Sequence, residues 1–163
     1  MTAYMKKRHT GFTLVELLMT LIIVSIVVSL GAPALTDMIR SNRLTTQANE
    51  LVTALNLARS EAIKRNATIT MCASSNQNSC TNDGWKNGWI ILSNNEVLRA
   101  FGPMKGLASI TSSADSLQYL PTGFINGGTT FTFDLCAKTG QAGRKINITP
   151  TGRPNNVTPY PTC

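Results

Sequence analysis

Apolar residues along the chain change their spacing twice. Residues 12–35 are apolar on every face, and Glu16 is the only charge among them. As a helix this run of 24 residues spans about 36 Å, more than the roughly 30 Å of a bilayer's hydrocarbon core. Pro33 falls inside it. It lacks the donor a helix needs and crowds the carbonyl four residues back, which predicts a kink or a loosened turn around Gly31-Ala32-Pro33. Further on, the spacing becomes that of one helical face. Leu44, Ala48, Leu51, Leu55, Ala58 and Ala62 recur at steps of three and four, with Val52 and Ile63 widening the stripe. Arg43, Gln47, Glu50, Arg59, Glu61 and Arg65 fall on other faces, where Arg59 and Glu61 read as solvated and Glu61 with Arg65 makes a favourable four-residue pair. One helix from Phe12 to near Asn66 is therefore expected, apolar all round in its first half and amphipathic in its second.

After Asn66 the period shortens to that of strands. Short β-like runs are expected over residues 68–72, 89–92, 97–101, 107–111, 118–120, 131–136 and 145–149. Ser93-Asn94-Asn95-Glu96 between the second and third reads as a hairpin turn, and Gly123, Gly127-Gly128, Gly140 and Gly143 punctuate the later ones. Nothing predicts a second long helix. The fold class is α+β: a long N-terminal helix whose amphipathic half packs on an antiparallel β-sheet or β-sandwich head.

The junction before the apolar run changes the picture most. Lys6-Lys7-Arg8-His9-Thr10-Gly11 precedes Phe12-Thr13-Leu14-Val15-Glu16. A charged side chain within a membrane segment costs roughly 2.5–3.5 kcal/mol on insertion scales, so Glu16 calls for a cationic partner. An ordinary secretory signal has a shorter apolar region with its small-residue site after it; here the small residue comes before. Lys6, Lys7 and Arg8 put the N-terminus on the cytoplasmic side and the rest across the inner membrane. The junction resembles the type IV prepilin signature of a basic leader, then Gly, Phe, Thr, Leu, a branched residue and Glu. That resemblance implies cleavage between Gly11 and Phe12 by a prepilin peptidase and methylation of the new Phe12 amine. It also implies that Glu16 pairs with the Phe12 amine of a neighbouring subunit during assembly, and that the helix melts near Pro33 in a filament. The divisions expected are a leader over 1–11, a transmembrane and assembly helix over 12–35, and a periplasmic head over 36–163, with a half-helix over 36–66 and a β domain over 67–163.

The stretch Leu57-Ala58-Arg59-Ser60-Glu61-Ala62, with Cys72, Cys80, Trp85, Gly88-Trp89 and Gly152-Arg153, resembles the FimT/FimU/GspH group of minor pilins and pseudopilins. This implies a pilin-like head, other pilin or pseudopilin subunits as partners, and a low-copy place in a type IV pilus or a type II secretion pseudopilus. The tryptophans read as core rather than as ligand-binding residues.

All four cysteines follow the apolar run, and an even count in an oxidising compartment reads as two disulfides. Three pairings are possible. The favoured one joins Cys72–Cys80, closing a short polar loop, and Cys136–Cys163, holding an end that would otherwise fray. No pair has CxxC spacing and the one histidine is His9, so no metal and no cofactor are expected. A calcium loop at Asn82-Asp83-Gly84 offers one acid, the mark of a turn. The acids Asp83, Glu96, Asp115 and Asp134 show no paired spacing, and neither a phosphate loop nor a nucleophile elbow is present, so catalysis is not expected. Asn66-Ala67-Thr68, Asn147-Ile148-Thr149 and Asn156-Val157-Thr158 fit the short glycosylation pattern.

Charge adds one more possibility. The chain has 15 basic and 8 acidic residues, and residues 137–163 carry Lys138, Arg144, Lys145 and Arg153 with no acid. Basic clustering attracts nucleic acid without reading sequence. FimT-type pilins are associated with DNA binding in natural transformation through a Gly-Arg-x-Arg motif. The matching segment is Gly152-Arg153-Pro154-Asn155, with asparagine in place of the second arginine and Gly143-Arg144-Lys145 as a second basic pair. Tyr160 is the one aromatic of the tail, so double-stranded DNA held by its backbone is the partner expected rather than stacked bases. The alternative is a GspH-like subunit of a type II secretion system that binds no DNA.

Overall fold

The structure is a computed structural model and describes residues 11–81, 83–157, 160 and 162–163. The basic leader with Lys6, Lys7, Arg8 and His9, together with Asn82 and Thr158, lies outside the described residues. The chain forms two compact units, Met1–Ile39 and Arg40–Cys163.

Helix α1 spans Leu14–Arg65. It opens on a capping box. The Glu16 amide donates to Thr13 Oγ1 at 3.3 Å, while the Thr13 amide reaches back to Glu16 Oε2 at 3.4 Å, so two donors that a helix start leaves unpaired find partners. The described apolar residues of the first unit are exposed throughout, and the helix is long and apolar enough to cross a membrane. Pro33 lies inside α1, and the chain is helical on both sides of it. Proline withholds only its own donor, and the turns on either side keep theirs. The helix ends in a Schellman motif. Asn66 takes the left-handed conformation at φ 49°, the Ala67 amide donates to the Ala62 carbonyl at 3.2 Å, and the Asn66 amide donates to that of Ile63 at 3.3 Å.

In the second unit α1 buries Leu44, Ala48, Leu51, Ala54, Leu55, Ala58 and Ala62. Ala54 completes the stripe, because it lies three residues after Leu51 and four before Ala58. Val52 packs half-buried at its edge, whereas Ile63 is 51 % exposed and lies outside the core.

Among the described residues eight strands follow: β1 Ile69–Ala73, β2 Trp89–Ser93, β3 Glu96–Phe101, β4 Ser109–Ser112, β5 Ser116–Tyr119, β6 Phe131–Cys136, β7 Arg144–Ile148 and β8 Pro154–Val157. A 3-10 turn at Trp85–Asn87 precedes β2. They form two antiparallel four-stranded sheets, ordered β3-β2-β1-β5 and β4-β6-β7-β8. The β2–β3 hairpin turns on Asn94 and Asn95, both at positive φ, with Ser93 opposite Glu96. That is the backbone a two-residue type I′ turn requires.

Alternation sends Ile69, Met71 and Ala73 of the first sheet and Phe131, Phe133, Leu135, Ile146 and Ile148 of the second into one core with α1. Trp85 stands edge-on to Phe133, ring centroids 4.8 Å apart, and donates its indole N–H to the Ala114 carbonyl at 3.0 Å. Trp89 stacks on Phe101 at 5.1 Å. Cys72, facing the other way from Met71, joins Ile90 and Leu92 in a small outer cluster. The structure contains the disulfides Cys72–Cys80 and Cys136–Cys163.

Candidate functional site

Sequence reasoning singled out two regions, the turn before the apolar helix and the basic residues after β6. At the first, Gly11, Phe12 and Glu16 are exposed. Among the described residues the Glu16 carboxylate is held by Thr13, through contacts of 3.4 and 3.5 Å. Long contacts of this kind position a carboxylate without consuming its capacity to accept a stronger, charged donor.

The four basic candidates occupy different environments. Because Ile146 and Ile148 point into the core, Lys145 and Asn147 point outward from β7. Opposite residues in the register share that face, so Asp134 of β6 and Asn155 and Val157 of β8 lie beside them. Arg153 belongs to the same row. Its carbonyl still accepts from the Thr149 amide at 3.1 Å, so the strand pairing continues one residue beyond β8. Lys145 pairs with Asp134 at 3.4 Å. Arg153 and Lys138 are exposed.

Arg144, at the end of β7, is engaged from three sides. Its Nη2 donates to Thr45 Oγ1 of α1 at 3.1 Å, its Nη1 donates to the Gly143 carbonyl at 2.9 Å, and its guanidinium lies 4.1 Å from the centroid of the Tyr160 ring. Gly143 sits against the disulfide: a Cβ there would come within 2.9 Å of Cys163 Sγ and 2.7 Å of the Leu135 carbonyl. Arg144 thus joins helix, sheet and the disulfide-linked segment, while keeping its charge.

A third cluster was missed. Arg59, read as solvated from its place beside the stripe, is half-buried, and its Nε donates to the Gly123 carbonyl at 3.1 Å. Gly152 closes over the same carbonyl. A Cβ on Gly152 would fall 2.0 Å from that oxygen and 3.0 Å from Tyr119 Cε1, and the residue sits at φ +79°. The Arg59 segment and the Gly152-Arg153 segment, both noted in the sequence, therefore meet at Gly123. The hint was the pairing of an arginine next to an apolar stripe with a distant Gly-Arg. Nothing local tells that they touch. Tyr119 is fully buried beside them; burial pushes its phenol well above the ordinary value, and the nearby Arg59 charge offsets only part of this.

On the opposite side of α1, Glu61 accepts from Arg65 at 2.5 Å and lies 3.9 Å from Lys64. The hydrogen bond from Arg65 holds the Glu61 carboxyl below the usual range. With Leu57, Ile91, Leu98 and Arg99 this pair lines a shallow pocket of about 330 Å³. Among the described residues no group of three or more His, Cys, Asp or Glu side chains could hold a metal.

The family model described as "Type II transport protein GspH" matches residues 47–152, and the model of the prokaryotic N-terminal methylation motif matches residues 6–32. No curated protein matches the chain in sequence. Among solved structures, the type IV minor pilin FimU of Pseudomonas aeruginosa strain PAO1 superimposes with a TM-score of 0.62 at 24 % identity, over 74 % of this chain and 94 % of that one. A second crystal form of FimU gives a TM-score of 0.59 over 72 % and 96 % at the same identity. The minor pseudopilin EpsH of the Vibrio cholerae type 2 secretion system gives 0.51 at 13 % identity, over 72 % and 98 %. These likenesses are of fold: one long N-terminal helix packed on antiparallel sheets. The family model covers more than half the chain and the methylation motif precedes it, so the chain belongs to the GspH family as a minor pilin or pseudopilin.

Proposed function

We propose that this subunit is anchored in the bacterial inner membrane by residues 12–35, N-terminus cytoplasmic and head periplasmic, and is drawn from there into a type IV pilus. A prepilin peptidase cuts between Gly11 and Phe12, the Phe12 amine is methylated, and Glu16 pairs with the Phe12 amine of a neighbouring subunit. Pro33 is the place where the helix yields on packing. Family membership, which implies assembly with other pilin subunits and processing by that peptidase, supports this reading. So does the exposed, weakly held Glu16 carboxylate.

The head in this reading holds double-stranded DNA without sequence preference, through Arg153 and Lys145 on the outer face, with Arg144, turned toward α1, and Lys138 as further basic candidates. The observation that carries it is the shared outward row of Lys145, Asn147, Asn155 and Arg153 on adjacent strands. Arg153 lies opposite Thr149. At 3.3 Å per residue it stands about 13 Å along β7 from Lys145, close to the roughly 12 Å width of a major groove. Amide side chains between the two cations suit phosphate oxygens. Binding of the piece from Arg40 onward to duplex of arbitrary sequence should weaken with salt, with a log–log slope of roughly −0.9 per phosphate neutralised. Reversing Arg144, Lys145 and Arg153 together should abolish it, and Asn155→Arg should steepen the slope by about 0.9. Undiminished DNA binding by the triple reversal removes this reading.

A second reading keeps the assembly and drops the DNA: a minor pseudopilin of a type II secretion system. Two observations favour it, the description of the matching family as a type II transport protein and Asn155 in the row where a second arginine would reinforce Arg153.

A further inference from the structure

One end of the head gathers cations from four separate segments. Arg43 lies on α1, and its Cδ is 3.4 Å from where Gly106 would carry a Cβ, next to Lys105. The Met104 amide donates to the Lys86 carbonyl at 2.9 Å, and Lys86 Nζ donates to the Ala108 carbonyl at 3.2 Å. The Ala108 amide continues to Cys136 at 2.8 Å, and Arg144 closes the group on Thr45, two residues from Arg43. Arg43, Lys86 and Lys105 are exposed. Among the described residues none of these three is ion-paired to a carboxylate. In the chain the nearest acids are Asp37 and Glu50 to Arg43, Asp83 to Lys86 and Glu96 to Lys105, and of these Asp83 sits with Asp115 on the loops at the end of β1. There Thr81 hydrogen-bonds the Asp83 carboxylate, and the Ala73 amide donates to the Asp115 carbonyl.

Chain connectivity says which partner this end meets. Arg43 is eight residues after Leu35, about 12 Å as helix and at most roughly 28 Å in any conformation. While residues 12–35 lie in a bilayer, this end of the head cannot leave the neighbourhood of the lipid headgroups. A basic surface within that reach is attracted to anionic phosphates, and the attraction is worth about five-fold in affinity for each cation at the membrane surface.

We propose that Arg43, Lys86 and Lys105 form a docking surface for anionic phospholipid headgroups, holding the head down on the membrane until the subunit is withdrawn into the filament. The recognising chemistry is a field of phosphate monoanions, not a single phosphate. The proposal rests on the anchoring reading above, and its test is independent of the anchor. Among the described residues the buried apolar core runs from Leu44 to Ile148, so the piece from Arg40 carries it and can be used alone.

That piece is sedimented with vesicles of phosphatidylcholine and with vesicles of phosphatidylcholine mixed with phosphatidylglycerol. Binding is expected only to the second and should fall as salt is added. The variant carrying Arg43→Gln, Lys86→Gln and Lys105→Gln should bind on the order of 100-fold more weakly. The single change Lys105→Gln, on an exposed side chain, should cost about five-fold and serves if the triple variant does not fold. Lys64→Glu, on the last turn of α1, should leave binding unchanged. Equal sedimentation with both vesicle types overturns the proposal, as does triple-variant binding equal to wild type. Displacement by inorganic phosphate at low concentration would show a single-anion site instead. A triple variant that loses duplex DNA but keeps the vesicles would assign the patch to nucleic acid. Failure of the anchor is read separately, as release of the full chain from membranes by alkaline carbonate.

Discussion

The Nε of Arg59 donates to the carbonyl oxygen of Gly123 at 3.1 Å, tying α1 to a turn 64 residues later. A guanidinium bond to a carbonyl that is itself buried contributes about 1.5–3 kcal/mol. Arg59→Ala should therefore lower the unfolding free energy of the head by about 2 kcal/mol in a urea titration. Arg59→Lys should recover only part of this, because an ammonium does not reproduce the planar donor. Gly152→Ala, which drives a Cβ onto the same carbonyl, should cost well over 1 kcal/mol. Because both changes act on one oxygen, their effects should not add. Strict additivity would show that Gly123 is not the shared point.

Tyr119 makes the head alkali-sensitive. The folded chain holds its phenol neutral well above the ordinary value, whereas the unfolded chain ionises it near pH 10. Its ionisation therefore costs the folded state nothing below about pH 10 and destabilises the fold increasingly as the pH rises beyond. Its hydroxyl has no hydrogen-bond partner among the described residues, so Tyr119→Phe should be neutral or mildly stabilising at pH 7. The same variant should blunt alkaline unfolding followed by circular dichroism. An unchanged alkaline midpoint would place the effect on other groups.

The two disulfides should differ in weight. Chain entropy favours the larger loop: Cys136–Cys163 is separated by 27 residues and Cys72–Cys80 by 8. Their loss should cost about 3.5 and 2.5 kcal/mol respectively on that account. Cys163→Ser should also free the segment that carries Tyr160 from Arg144, seen as faster amide exchange around Thr162 and Ala142, which bridge each other. A larger loss from opening Cys72–Cys80 would show that the polar loop, not chain entropy, dominates.

The β2–β3 turn places two asparagines at positive φ, 47° and 67°. Glycine meets no steric penalty at the second position of such a turn. Asn95→Gly should raise stability by roughly 0.5–1 kcal/mol, measured as a shift of the denaturant midpoint with an unchanged slope. A lower midpoint would mean that the Asn95 side chain makes a contact worth more than the backbone strain.

At the other end of the chain, Gly11→Ala should block processing, leaving a longer subunit on a gel. Glu16→Ala should be cut normally and fail to enter filaments. If Glu16→Ala assembles as well as wild type, the carboxylate has no part in subunit docking.

Periodicity carried much of the fold because it is a local property. The stripe from Leu44 to Ala62 needed only a core to face, and β6 was bounded correctly by Phe131 and Cys136 because its residues alternate strictly. The hairpin at Asn94-Asn95 was readable for the same reason. Strand β8, Pro154–Val157, was not anticipated: Pro-Asn-Asn-Val has neither alternation nor strong strand formers, and its pairing with β7 supplies what its composition lacks. Ile63 looked like core and is 51 % exposed, because it lies at the edge of the stripe whose centre is the fully buried Ala62.

By itself the sequence determined the long helix, the mixed α+β class and the junction of Gly11, Phe12 and Glu16, because each is written in neighbouring residues. Tertiary structure alone decided how the strands divide between two sheets, that Arg59 and Gly152 meet over Gly123, and which cations share a surface. Such pairings depend on contacts between segments far apart in the chain, whose free energy exists only once the whole head has closed around its core.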